Sequence, residues 1–115
     1  MSLPPRIPKK AKRASRWRSQ AHCSFVRSHA CCVCLDPAPI EVAHVRIGSG
    51  AGIGQKPDDW RTVSLCKPCH AEQHSVGEVS FWRKRDVEGL IAAFIKASPR
   101  RAQIEQAMRE RRDGA

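Results

Sequence analysis

The chain has 115 residues, of which 41% are hydrophobic and only 5% aromatic, so we expect a single domain with a modest core. Its 21 lysine and arginine residues outnumber the 11 acidic residues and give a formal net charge of +10. No apolar run approaches the roughly 20 residues that cross a bilayer, and residues 1–5 lack the apolar segment of a secretory signal. We therefore expect no membrane partner and a cytoplasmic location.

The basic residues are concentrated in three regions of the chain. Eight of them, and no acidic residue, lie between Met1 and Leu35, and the other two clusters are Arg83-Lys84-Arg85 and Arg109, Arg111 and Arg112. Patches of this kind bind polyanions by releasing counterions, with an affinity that falls as salt rises. A basic stretch of this length without acidic residues therefore indicates a nucleic-acid partner rather than a surface that is merely solvated.

The first part of the chain divides into an arm and a helix. Residues 1–14 are rich in proline, lysine and arginine without apolar periodicity, which predicts a disordered basic arm. From Ser15 to His29 the apolar residues recur at roughly helical spacing. This pattern predicts a short helix with Ser15 or Ser19 as its N-cap.

Two short strands are predicted in the middle of the chain. Ile40, Val42 and His44 alternate with Glu41 and Ala43, a pattern that places His44 on the same strand face as two apolar residues. A glycine-rich loop follows at 48–54, where backbone can approach a ligand closely. The second strand, residues 62–65, runs directly into Cys66, and Pro68 suits the first turn of a helix there.

Two further helices are predicted in the C-terminal part. Asp86 caps a segment with apolar residues at helical spacing, and Ser98-Pro99 opens a second, more polar helix. The predicted order is helix, strand, loop, strand, helix, helix, helix. We expect three regions: the arm at 1–14, a zinc-stabilised core at 15–82 and a C-terminal helical extension at 83–115.

Two Cys-x-x-Cys motifs predict a zinc site. Cys31 and Cys34 form the first pair, and Cys66 and Cys69 form the second. In a reducing compartment such pairs indicate metal ligands before disulfides, and four thiolates make a closed tetrahedral site for structural Zn²⁺. Cys32 competes with Cys31, but the two-residue spacer favours Cys31. Cys23 stands alone and is predicted to be a core residue.

The histidines indicate a second metal site. His70 follows the second cysteine pair, and His74 lies four residues later, so both imidazoles share one face of a helix that begins near Pro68. Two exposed polar residues would give the same pattern. The metal interpretation gains from His44 at the end of a strand, because a zinc ion at the cysteines would hold that strand and the helix together.

With these motifs the sequence resembles the HNH endonucleases of the ββα-metal type, and most of all the compact phage and prophage branch related to the recombination-associated nuclease Ref. The resemblance covers roughly residues 25–82. It rests on Cys31-x-Val33-Cys34, Ala43-His44-Val45-Arg46, Gly50 to Gly54, Lys56-Pro57-Asp58-Asp59, Cys66 through His74, Gly77 and Phe81-Trp82. It implies an α+β fold: a small zinc-stapled ββα-metal core flanked by an N-terminal helix and two C-terminal helices.

The resemblance also implies roles for individual residues. His44 would be the general base of DNA hydrolysis, and His70 and His74 would ligate a catalytic divalent ion. The sequence departs from the family in having Ala43 beside His44 and in lacking the middle asparagine. Asp58 or Asp59 stands near that place, and we favour Asp59 as the residue that orients His44 or completes the metal shell.

The predicted chemistry leaves several points open. The catalytic ion can be Mg²⁺, Mn²⁺, Ni²⁺ or Zn²⁺, and the DNA can be double- or single-stranded. Arg46, Lys56 and Arg61 flank the site and are the candidate phosphate contacts. The resemblance suggests a recombinase partner in a bacterial or phage-infected cell. The competing hypothesis is a non-catalytic zinc module that binds nucleic acid, which needs the same cysteines and charge but not the three histidines.

Overall fold

A computed structural model of the chain describes residues 2–7, 16–37, 39–52 and 54–114. The protein is α+β. Its elements in chain order are α1 (Gln20–Arg27), β1 (Ile40–His44), β2 (Thr62–Cys66), α2 (Lys67–Val76), α3 (Glu78–Trp82), α4 (Val87–Ala97) and α5 (Arg101–Gly114). None of the described helices is long and apolar enough to span a membrane.

The N-terminal helix begins later than Ser15, because two aspartates capture the backbone that precedes it. The Trp17 amide donates to Asp58 Oδ1 at 2.7 Å, and the Ser19 amide donates to Asp59 Oδ2 at 2.8 Å. These bonds hold residues 16–19 in a non-helical conformation. Ser19 then acts as the N-cap, its side chain accepting from the His22 amide at 3.1 Å.

Of the predicted basic arm, residues 2–7 are exposed and contain no helix or strand. Met1 and residues 8–14 lie outside the described residues, as does Ser15, the other N-cap candidate.

The two strands form an antiparallel sheet in which Ile40 pairs with Cys66 and His44 pairs with Thr62. The expected alternation is present, and the buried face is the one opposite His44. Ala43 and Val45 are fully buried, whereas Val42 and His44 are only half-buried. His44 therefore lies on the face that borders a cleft, with the core on the other side of the strand.

The core lies between the sheet and the helices that follow it. It contains Trp60, Val63, Leu65, Phe81, Trp82, Val87, Ile91, Ile95 and Ile104 together with Ala43 and Val45. Three of the few aromatic residues thus lie in one cluster. Two of them, Phe81 and Trp82, belong to α3, which the predicted element order lacked because a five-residue helix is too short to show periodicity.

The C-terminal helices pack onto this core. Asp86 caps α4 through the Gly89 amide at 2.9 Å, as its position predicted. Ser98 accepts from the Arg100 amide at 3.1 Å and so begins the turn that leads into α5. The same hydroxyl lies 2.8 Å from Nδ1 of the fully buried His22. This contact ties α1 to the junction of α4 and α5.

Candidate functional site

Four cysteines form a cluster that can hold a zinc ion. The Sγ atoms of Cys31, Cys34, Cys66 and Cys69 all lie within 4.8 Å of one another. Four sulfurs bound tetrahedrally at about 2.3 Å from one zinc ion are about 3.8 Å apart. The Cys34 and Cys66 sulfurs are separated by 3.6 Å, which fits this geometry, and the cysteines are free rather than disulfide-bonded.

Backbone hydrogen bonds position the first cysteine pair. The Cys31 amide donates to the Asp36 carbonyl and the Leu35 amide to the Cys31 carbonyl, both at 2.9 Å, so residues 31–36 form a tight turn. The Cys32 amide donates to the Ser64 carbonyl on β2 at 2.9 Å. The backbone of Cys32 therefore docks the turn onto the sheet. Cys31, and not Cys32, belongs to the four-cysteine cluster, as the two-residue spacing predicted.

The electrostatics around Cys31 favour a ligating thiolate. Burial raises the pKa of the Cys31 thiol, but hydrogen bonds from the backbone of Cys34, Cys66 and Val33 outweigh it and lower that pKa to about 6. A thiolate is the form of cysteine that binds metal ions.

His70 and His74 face each other on α2. Their Nε2 atoms are 3.2 Å apart. Two nitrogens bound to one ion at about 2.0–2.1 Å with tetrahedral angles are about 3.3 Å apart, so both imidazoles fit a shared ion. Nδ1 of His70 lies 2.9 Å from Oε1 of Glu41. A carboxylate in this position holds the ring and leaves Nε2 free to bind metal.

His44 is paired with an aspartate. Its Nε2 atom lies 2.9 Å from Oδ1 of Asp59. An ionised carboxylate only accepts hydrogen bonds, so a neutral His44 carries its proton on Nε2 and keeps a lone pair on Nδ1. Both side chains are largely shielded from solvent, with 17% of His44 and 9% of Asp59 exposed.

Burial and hydrogen bonding shift both ionisation equilibria. Burial lowers the pKa of His44 below its ordinary value, although the hydrogen bond to Asp59 acts in the opposite direction. Burial raises the pKa of Asp59, but the bonds from His44 and the Ser19 amide outweigh it, and the pKa of that carboxyl is lowered. At neutral pH the pair therefore consists of a neutral imidazole and a carboxylate.

The neighbouring Asp58 has a different environment. It is 1% exposed and forms ion pairs with Arg16, at 3.3 Å, and with Arg111. Its contacts lie with the two ends of the chain and not with a histidine. The sequence left a choice between these two aspartates. The geometry favours Asp59, because Asp59 contacts His44 and Asp58 does not.

A two-lobed trough contains the three histidines. One part, here named the histidine lobe, is about 380 Å³ and is lined by His44, Arg46, Lys56, His70, His74 and Glu78. The other part, the α1 lobe, is about 470 Å³ and is lined by Arg18, Cys23, Arg27, His44, Asp59 and His70. Val42, His44, Lys56 and His70 border both lobes. The two lobes therefore meet at His44 and His70.

The predicted phosphate contacts differ in their availability. Lys56 is exposed, borders both lobes, and makes no side-chain ion pair within the described part of the chain. Arg46 borders the histidine lobe, but its guanidinium donates to the carbonyls of Gln55 and Gly52 and so braces the glycine-rich loop. The prediction for these two stays a prediction.

Arg61 needs correction as a substrate contact. Its side chain is 11% exposed, and its guanidinium donates to the Val45 and Ile47 carbonyls and to Glu88 at 2.7 Å. These bonds occupy four of its five N–H donors within the fold, and Arg61 lines neither lobe of the trough. Cys23 also differs from the prediction, because it is half-buried at the α1 lobe rather than in the core.

Four charged residues of the trough were not assigned to the site from the sequence. Glu41 was assigned only a place in the strand alternation, and Arg18, Arg27 and Glu78 were assigned no site role. Glu78 accepts from the Arg46 and Ile47 amides at 2.9–3.1 Å, which fastens the end of β1 to α3. The strand register is the signal that could have revealed Glu41, because it pairs with Leu65, directly before the cysteine and helix that carry His70.

Fold and site define a small α+β protein with a four-cysteine cluster that can bind zinc. Residues 4–90, about three quarters of the chain, match the family described as "Protein of unknown function (DUF968)", and the chain belongs to that family. No curated protein and no solved structure matches the sequence.

Proposed function

We propose that the protein is a metal-dependent endonuclease of the HNH type that hydrolyses DNA phosphodiester bonds. The observation that carries this proposal is the shared histidine lobe. His44, paired with Asp59, borders the same space as the facing imidazoles of His70 and His74. A general base and a two-histidine metal site on one side of a cleft are the parts that phosphodiester hydrolysis requires.

His44 acts as the general base in this proposal. Its lowered pKa keeps the imidazole neutral at physiological pH, and its Nδ1 accepts the proton of a water molecule as that water attacks phosphorus. The phosphorus–oxygen bond to the leaving 3′ oxygen then breaks. Asp59 orients the ring and stabilises the imidazolium that forms.

His70 and His74 hold the divalent ion, which when bound acts as a Lewis acid on the phosphate and its leaving oxygen. Glu41 positions His70 from behind. In the described residues, the four cysteines are the one group of three or more potential ligands close enough to share an ion. The ion at the histidines would therefore retain open positions for water and phosphate oxygens, as catalytic sites do.

The cysteine cluster and the basic charge also fit one alternative, a non-catalytic zinc module that binds nucleic acid. Such a module needs the cysteine cluster and the basic surface alone. It gives no task to the buried bond between His44 and Asp59 or to the facing imidazoles. For this reason we prefer the nuclease.

The test is cleavage of supercoiled plasmid with Mg²⁺, Mn²⁺, Ni²⁺ or Zn²⁺ added in turn. We expect the wild type to nick the plasmid with at least one ion, and His44→Ala to lose at least about 100-fold in rate, with unchanged zinc content and circular dichroism. His29→Ala is the matched control, because His29 is exposed just after α1, contacts the Phe25 carbonyl and lines neither lobe of the trough. Wild-type cleavage by His44→Ala, or a wild type inactive with every ion, would refute the proposal.

A further inference from the structure

The α1 lobe is a second basic compartment next to the histidines. Its volume of about 470 Å³ lies within the range of roughly 300–1,000 Å³ that is typical of small-ligand sites, so it can accommodate a nucleotide-sized group. The histidine lobe has comparable room. Since the two lobes meet at His44 and His70, a strand that fills the histidine lobe can continue directly into the α1 lobe.

The cations of the α1 lobe are not equally available. Arg18 donates to the Lys56 carbonyl at 3.0 Å, to the Pro57 carbonyl and to Asp59, so its charge is used to brace the loop. Arg27, in the last turn of α1, is exposed, and no residue in the described ranges forms a hydrogen bond or ion pair with its guanidinium. Lys56, on the loop before β2, also borders the lobe and is exposed. Its ammonium group forms no hydrogen bond or ion pair with the described residues either.

The charges of these two cations act on titratable groups that line the trough. Burial and Asp59 raise the pKa of the Cys23 thiol in the α1 lobe to about 11, and Arg27 and Lys56 act against this rise. Burial lowers the pKa of His44, and Lys56 adds to that lowering. The carboxylates of the lobe do not neutralise them. Asp59 is bonded to His44 and Arg18, and Glu41 is bonded to His70. Two exposed cations, one on α1 and one on the loop before β2, thus border one lobe and can attract a phosphate group.

We propose that Arg27 and Lys56 bind the phosphate adjacent to the scissile one, so that a DNA strand lies along both lobes with its reacting phosphate at His44 and His70. Arg27 is then a substrate contact on α1, and the trough requires at least two successive phosphates for full affinity. This inference rests on the proposed function for the position of the reacting phosphate, but binding of the strand can be measured without cleavage.

The first test is the binding of a fluorescent single-stranded oligonucleotide between 50 and about 300 mM salt without an added divalent ion, followed by anisotropy. Removing one phosphate contact lowers the slope of log affinity against log salt by about 0.7–0.9. We expect this loss for Arg27→Ala and not for Arg27→Lys, which keeps the charge. Lys96→Ala is the control, because Lys96 is exposed at the end of α4 and borders neither lobe.

An unchanged slope in Arg27→Ala, or an equal loss in Lys96→Ala, would overturn the proposal, because the effect would then be absent or due to net charge alone. Thermal melting followed by circular dichroism verifies that each variant folds. Should Arg27→Ala melt early, Arg27→Gln replaces it with a side chain of similar length.

The second test locates the contact with oligonucleotides in which single phosphates near the cut are replaced by neutral methylphosphonates. One replacement, next to the cut, should slow the wild type about as much as Arg27→Ala does, and the two changes together should cost no more than either alone. Additive losses at every position would contradict the assignment. A lost salt slope without any cleavage would instead retain the Arg27 contact and refute the nuclease.

Discussion

At the scale of single residues, two adjacent aspartates have different tasks. Asp58 is buried between Arg16 and Arg111, whereas Asp59 reaches His44 and the Ser19 amide. The sequence could not separate them, because both follow Pro57 and both carry the same group. Their environments decide, since one carboxylate neutralises two arginines and the other sets the tautomer of an imidazole.

Asp59→Asn tests the second task through the pH dependence of cleavage. In the proposed mechanism the neutral form of His44 is the active one, so the rate should rise with pH through its pKa, which lies below the ordinary value of 6.5. Asp59 raises that pKa, so Asp59→Asn should move the acidic limb to still lower pH. The maximal rate should fall about 100- to 10,000-fold, because the tautomer is no longer fixed.

The control for this experiment is Asp113→Asn, at an exposed position near the C-terminus, which should change neither the limb nor the maximal rate. A limb that stays in place or moves to higher pH in Asp59→Asn would contradict the role of Asp59.

The sequence could predict those site residues whose type and spacing are typical of a metal site. The cysteine pairs were predictable because their spacing suits one tetrahedral ion, and His70 and His74 because they lie four residues apart on a helix. Glu41 and Arg27 could not be predicted, because their proximity to the trough depends on the strand register and on the packing of α1. A lone charged residue on a strand or helix carries no such signal.

At the scale of elements, the cysteine cluster connects three segments of the chain near the trough. It joins the turn after α1 to the end of β2 and the start of α2. It holds α2, which carries His70, at the end of β2, and β2 pairs with the strand that carries His44. A structural zinc of this type supplies about 10–16 kcal/mol of apparent binding free energy, which is comparable to the whole stability of a small domain.

Cys31→Ser tests this connection against its matched neighbour Cys32→Ser. The first change removes a cluster ligand, and we expect loss of bound zinc and of most helical circular dichroism. The second removes a half-buried thiol outside the cluster, and we expect one zinc ion per chain and a fold that is destabilised by about 1 kcal/mol at most. A folded Cys31→Ser protein without zinc would show that the cluster is dispensable.

Periodicity predicted most elements but not their limits. Residue type predicted Asp86 as one cap and Ser15 or Ser19 as the other, because a short polar side chain before an apolar repeat accepts hydrogen bonds from free backbone amides. In the structure Ser19 and Asp86 form these bonds. The late start of α1 could not be read, since its cause is a bond between Trp17 and an aspartate 41 residues away. The alternation in β1 did not show which face is buried, because that depends on the packing of Ala43 and Val45 against the later helices.

At the scale of the whole molecule, the segment that precedes α1 and the C-terminal helix α5 meet at Asp58. Arg16 precedes α1 and Arg111 lies on α5, and both pair with the buried Asp58. The Arg111 guanidinium also lies 5.1 Å from the centre of the Trp60 ring. Part of the +10 formal charge is thus used internally. Other cations stay exposed, among them Arg27 and Lys56 at the trough and Arg83 and Lys84 after α3.

The proposed nuclease requires a second, exchangeable metal site at His70 and His74, distinct from the four-cysteine cluster. Its most direct test is the number of divalent ions bound per chain, measured by calorimetric titration of zinc-loaded protein with Mn²⁺ or Ni²⁺. We predict one further site in the wild type, its loss in the double variant His70→Ala/His74→Ala, and unchanged zinc content in both. A wild type that binds no ion beyond its zinc would contradict the claim and favour the binding module.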